Sequence, residues 1–222
     1  MENIKKTGTF LFYGKLQFSH KNICRKYIVV GMACVFILAG ILLVVYGIER
    51  AKETKLSPEV LEYRSSIEQY AQEYGVSDYT DYLLAIMQVE SAGIGKDVMQ
   101  CSESVGLPPG TLKTEESLRQ GCRYFSLLLE VAEENGCDME SVVQAYNYGT
   151  GYLLYVAEKG GHHTAELAEQ FAEEYSDGVK VEYTHPIAEK KNGGWRYQYG
   201  NMFYVELVGQ YLPEKNEEEK YE

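Results

Sequence analysis

Apolar side chains recur every three or four residues through most of the chain beyond residue 57. Val60, Tyr63, Ile67, Tyr70 and Tyr74 share one face of an amphipathic helix, which Ser57 and Pro58 open and Gly75 stops. The same spacing returns in DYLLAIMQVESAG, residues 81–93. It continues in Thr114–Asn135 through Leu118, Cys122, Phe125, Leu129 and Ala132, and in Asp138–Tyr146 through Met139, Val142, Val143 and Tyr146. Gly93, Gly136 and Gly149 end these runs. A fifth run covers Thr164–Tyr175, and a sixth covers Asn201–Leu212 with Val205, Val208, Tyr211 and Leu212. The pattern predicts an all-α domain over residues 58–212. Residues 179–200, VKVEYTHPIAEKKNGGWRYQYG, lack a helical stripe and read as a small β-hairpin or an irregular loop.

Ahead of this domain the pattern changes. Tyr27–Ile48 is a run of 22 residues without a charge, enough for a helix of roughly 33 Å and hence for a bilayer. A cleaved signal peptide would have a shorter apolar core and a small-residue cleavage pattern. VYGIERAKE offers neither, so one uncleaved transmembrane helix is expected. Residues 1–26 carry Lys5, Lys6, Lys15, Lys21, Arg25 and Lys26 against Glu2, a balance of +5. That basic flank keeps the N-terminus cytoplasmic and puts the helical domain outside. Residues 49–57 form a short charged linker, and 213–222 read as an acidic disordered tail.

Charge and cysteines narrow the function classes. Taking the +5 from the total of −12 leaves −17 for the rest of the chain, which excludes a nucleic-acid partner. Cys101, Cys122 and Cys137 follow the apolar run without metal-ligand spacing, and neither a metal nor a cofactor is expected. Three cysteines allow at most one internal disulfide; small buried hydrophobes are an equally good reading.

The chemistry concentrates in VESAGIGKDVMQCSES, residues 89–104. Leu83, Ile86 and Met87 define an apolar stripe whose next position is Glu90. That carboxylate also falls in the last turn, where the helix dipole is negative. Burial and dipole both favour its protonated form, and a protonated carboxyl near neutral pH is what glycosidic cleavage needs. The plain alternative is a glutamate frayed into solvent at a helix end.

VESAG, then VMQCSES, then AYNYGTG some forty residues later, resembles the signature set of the lysozyme-like superfamily, which includes lytic transglycosylases and goose-type lysozymes. DVMQCSES is closest in wording to the lysozyme domain of CwlT-type cell-wall hydrolases, which conjugative elements carry. The resemblance implies that Glu90 is the catalytic acid. It implies that Met99 and Gln100 line the cleft, and that Tyr146 and Asn147 position sugar and acid. Ser102, Glu103, Tyr148, Gly149 and Trp195 complete the expected substrate-binding set, with Tyr152 as a further aromatic candidate.

Where transglycosylases commonly have GLMQ this chain has DVMQ, so Asp97 becomes a candidate second catalytic carboxylate. If Asp97 or, as second choice, Glu103 faces the scissile bond, a muramidase is expected; if no second carboxylate does, the implied product is a 1,6-anhydro end. The implied substrate is the β-1,4 bond between N-acetylmuramic acid and N-acetylglucosamine in peptidoglycan. A non-catalytic glycan-binding scaffold for a conjugation or secretion apparatus is the alternative from another class. His162, His163 and His185 have no ligand or nucleophile spacing and read as structural.

Overall fold

A computed structural model describes residues 55–213, together with Met32, Ile37 and Gly40, each of them helical. The expected span Tyr27–Ile48 otherwise lies outside the described residues, as do residues 1–26, most of the linker 49–57 and the tail beyond Pro213. Among the described residues no helix is long and apolar enough to cross a membrane. The chain divides into two units, Met1–Glu53 and Thr54–Glu222, and the fold below is that of the second.

Nine helices succeed one another in the described part of this unit: α1 Pro58–Glu62, α2 Arg64–Glu73, α3 Thr80–Glu90, α4 Thr114–Asn135, α5 Met139–Tyr148, α6 Thr150–Ala157, α7 Ala165–Tyr175, α8 Pro186–Asn192 and α9 Tyr204–Gly209. Strands β1 Lys180–Glu182 and β2 Trp195–Tyr197 flank α8 and pair antiparallel, with Val181 opposite Arg196. The ambiguous stretch therefore holds both a small hairpin-like sheet and a helix that periodicity does not reveal.

Local chemistry fixes the ends of the elements. Ser57 Oγ accepts the Val60 amide, Asp138 Oδ1 the Ser141 amide and Thr164 Oγ the Leu167 amide, so α1, α5 and α7 begin on side-chain caps. Helix α4 ends at Gly136, whose φ of +66° is the left-handed conformation of a helix C-cap. The first expected helix is split: a three-residue hydrogen bond from the Tyr63 amide to Val60 O separates α1 from α2. In α9 the buried face is Tyr204, Leu207 and Val208, rotated from the expected Val205, Val208, Tyr211 and Leu212.

Helix α4 packs against α2, α5 and α6, while α9 bridges α3 and α5. Leu83, Ile86 and Met87 on α3 are completely buried, each worth about 1.5–3 kcal/mol relative to exposure. Much of the tyrosine content is core. Around Phe171 of α7 stand the rings of Tyr148, Tyr152, Tyr155, Tyr175 and Tyr199, with centroids between 4.3 and 5.9 Å from it. Cys101, Cys122 and Cys137 are free, and burial pushes the thiols of Cys101 and Cys122 up to about 12. They are the small inert hydrophobes of the second reading.

Candidate active site

Glu90 is the last residue of α3 and lies on the extension of its buried stripe, half-buried where Leu83, Ile86 and Met87 are fully so. One contact made across the fold organises it: the Tyr204 hydroxyl, buried on α9, donates to Glu90 Oε1 at 2.6 Å. Burial pushes the carboxyl up to about 7, against the opposing pull of the Tyr204 hydrogen bond and with help from the negative charge of Asp97. A carboxyl balanced there can give up a proton at neutral pH and take one back.

The residues after Glu90 build the wall beside it. The Ser91 hydroxyl donates to Val98 O at 2.7 Å and accepts the Gly93 amide at 3.0 Å, drawing the DVMQ segment back toward the end of α3. Ala92 and Gly93 both take positive φ, 53° and 76°. A Cβ on Gly93 would lie 2.8 Å from the backbone of Glu59 and Val60, so only glycine lets α1 close on this turn. Ser57 joins the junction by donating its amide to Gln88 Oε1 and its hydroxyl to Ala92 O.

Asp97 is turned into the protein, at 2% exposure, and does not present itself to a substrate. Its Oδ1 accepts the Cys101 amide at 3.2 Å and the Ser117 hydroxyl at 2.6 Å. Its Oδ2 accepts the Ser102 amide at 3.1 Å and, more closely, the Ser102 hydroxyl. Burial alone would raise this carboxyl; the donors from Ser102, Ser117 and the Cys101 and Ser102 amides outweigh it and hold Asp97 below the usual range. With both oxygens engaged, the expected second carboxylate is a charged hub that ties the loop to α4.

Two other expected cleft residues also turn inward. Met99 is fully buried, its side chain seated where a Cβ on Gly121 would come within 2.7 Å. Ser102 is 1% exposed, and its hydroxyl also accepts the amides of Thr111 and Leu112. Gln100, by contrast, is exposed. Its φ of +47° is unusual for a residue with a Cβ and costs on the order of 1 kcal/mol. Asp97 O holds it there by accepting both its backbone amide and Nε2, at 3.0 and 2.9 Å. Glu103 is exposed on the short 3-10 helix Ser102–Val105.

The AYN segment closes α5 against these parts. The Tyr146 hydroxyl donates to Met99 O at 3.0 Å, joining α5 to the MQ segment. Asn147 Oδ1 accepts the Asn201 amide at 2.7 Å, fixing the strand of chain that leads into Tyr204. Tyr148 is core, its hydroxyl on Ala168 O. Gly149, at φ 86° and ψ 171°, breaks α5 from α6. Gly200 has no room for a Cβ, which would meet Asn147 Oδ1 at 2.5 Å and the Tyr148 ring at 2.7 Å.

Trp195 stands on β2, half-buried, with Lys180 Nζ 3.6 Å from its ring centroid. Tyr152 is core; its hydroxyl meets His163 Nδ1 at 2.8 Å. Of the histidines, His163 and His162 hydrogen-bond Asp138, and His185 Nδ1 accepts the Ile187 amide at the start of α8.

A fold of this topology, with a protonatable glutamate ending a buried helix and an AYN segment packed behind it, defines a lysozyme-like protein. The family model for lysozyme-like proteins matches residues 57–212, and the chain belongs to that family. The uncharacterized membrane protein YocA of Bacillus subtilis (strain 168) is 37% identical over 186 residues, covering 80% of this chain and 82% of YocA. The bifunctional muramidase/DL-endopeptidase CwlT of the same organism is 34% identical, covering 71% of this chain and 43% of CwlT. A solved structure from Staphylococcus aureus subsp. aureus Mu50, described as similar to a lipoprotein of the NLP/P60 family, aligns with a TM-score of 0.72 at 59% identity. It covers 72% of this chain and 55% of its own, so this chain spans about half the length of CwlT and of the staphylococcal protein.

Proposed function

We propose that the protein is a peptidoglycan glycosidase, held at the membrane by Tyr27–Ile48 with its lysozyme-like domain outside, and that Glu90 is its general acid. The observation that carries this reading is the Glu90 carboxyl at about 7, half-buried and oriented by Tyr204. Kinship with a muramidase supports the substrate, and the membrane-protein name of YocA supports the anchor.

In the proposed reaction Glu90 gives its proton to the glycosidic oxygen as the bond from that oxygen to C1 of N-acetylmuramic acid breaks. The leaving N-acetylglucosamine departs with its hydroxyl restored, and the sugar ring carries oxocarbenium character. Glu90, now a carboxylate, takes a proton from water as the water oxygen bonds to C1. The acid is regenerated and a reducing end remains, as for a muramidase.

The engagement of both Asp97 oxygens favours a second reading, in which the 6-hydroxyl of the same sugar attacks C1 and Glu90 takes that proton. The product is then a 1,6-anhydro end and no water is consumed. Digestion of purified peptidoglycan by the full chain, followed by mass spectrometry, separates the readings. Reducing ends support the muramidase, and fragments lighter by one water support the transglycosylase. No release, or equal release by Glu90→Gln, removes the catalytic proposal and leaves a glycan-binding scaffold.

A further inference from the structure

The chain from β2 to α9 borders an open cavity of about 450 Å³, lined by Asn147, Tyr183, Arg196, Gln198, Gly200 and Asn201. Asn201 connects it to the site: it lies three residues before Tyr204, and its carbonyl accepts the Tyr204 amide at 3.1 Å. Arg196 is the one cationic side chain of this lining. Its Nη1 donates to Tyr197 O at 3.0 Å and to Gly200 O at 2.6 Å, which uses both hydrogens of that nitrogen. The guanidinium carbon lies 5.7 Å from the centroid of the Tyr183 ring.

Tyr183 is itself fixed, accepting Asn201 Nδ2 at 3.1 Å and stacking on His185 and Phe203. The guanidinium is thus anchored along one edge. Nε and Nη2 have no hydrogen-bond partner, and no carboxylate lies within ion-pair distance of Arg196, among the described residues. Its remaining edge, Nε with Nη2, is the fork that a carboxylate meets with two parallel hydrogen bonds.

We propose that Arg196 is a specificity residue that binds a substrate carboxylate in this cavity. The inference rests on the peptidoglycan reading above and deepens it: the protein prefers strands with free carboxylates over strands in which those groups are amides. Two sources present that chemistry, the acidic residues of the peptide stem and, on strands without stems, the lactyl carboxylate of muramic acid. An amide in the same place offers one acceptor and no charge, and it brings its own N–H groups against the donors of the guanidinium.

The test measures binding of the full-chain Glu90→Gln protein, which does not consume the substrate, to three preparations of the same sacculi. One is untreated, one has its carboxylates amidated with carbodiimide and ammonia, and one has its stems removed by an amidase. About tenfold tighter binding to untreated than to amidated material is expected, the size of one charge-assisted pair. Adding Arg196→Gln should abolish that difference, and Arg196→Lys should restore only part of it.

Binding lost with the stems assigns the carboxylate to the peptide; binding retained assigns it to the lactyl group. Equal binding to untreated and amidated sacculi by the protein that keeps Arg196 overturns the inference, in a comparison that depends on no Arg196 variant folding. The wild-type digest keeps the two readings apart: cleavage with equal binding sinks only the carboxylate preference, whereas no cleavage sinks the glycosidase.

Discussion

At the scale of single residues the site depends on how Glu90 is held. Two opposing influences meet on one carboxyl: burial retains its proton, and the Tyr204 hydroxyl at 2.6 Å favours its loss. Tyr204→Phe should therefore raise the Glu90 pKa further above about 7. The alkaline limb of the kcat/KM profile, along which the acid loses its proton, should move to higher pH. At pH values where Glu90 is fully protonated the rate should still drop by about tenfold, because the carboxyl is no longer fixed in one orientation. A full profile on soluble glycan fragments checks both parts, and an unmoved limb would show that the hydroxyl does not act on Glu90. Tyr204 is hard to find in the sequence. The stripe of its helix reads as complete from Val205, Val208, Tyr211 and Leu212, and only the packing of α9 across α3 shows that the buried face begins one residue earlier.

At the scale of elements, legibility follows the length of the periodic signal. Helix α4 begins at Thr114 and ends at Asn135 as the pattern expects, because a 22-residue amphipathic run with a terminal glycine leaves little freedom. Helix α6, TGYLLYVA, is apolar on most sides and follows the stop signal of Gly149; α8 has seven residues and one buried side chain. Neither presents a stripe. The loop after Glu90 misleads for another reason: Asp97 reads as a carboxylate facing the cleft, but its partner Ser117 comes from α4, twenty residues beyond it. No local pattern encodes that encounter. The role now assigned to Asp97 makes it decisive to replace. Asp97→Asn puts an amide nitrogen against several donors and should destabilise the domain by about 2–4 kcal/mol. Turnover measured below the melting temperature of the variant should stay within about tenfold of wild type. A catalytic nucleophile would instead cost a thousandfold or more with little change in melting.

At the scale of the whole molecule, the proton proposed to serve catalysis is linked to folding. The unfolded chain releases the Glu90 proton near 4.5 and the folded chain near 7. Between those values the folded state holds more protons, so the stability it gains from Glu90 is complete below about pH 4.5 and is lost as pH rises through 7. Each pH unit of the window is worth about 1.4 kcal/mol, which sets a ceiling of about 3 kcal/mol. Glu90→Gln carries no such penalty and nearly the same shape. It should match wild type near pH 4.5 and exceed it by up to about 3 kcal/mol above pH 8, while its activity is abolished. The comparison isolates Glu90, because the lowered carboxyls of Asp97 and Asp138 and the lowered imidazole of His163 titrate alike in both proteins. Urea denaturation of the two proteins across this range provides the measurement. A stability difference that stays flat with pH would mean that Glu90 is ordinary in its affinity for protons, and that the domain does not sacrifice stability to keep an acid at the end of α3.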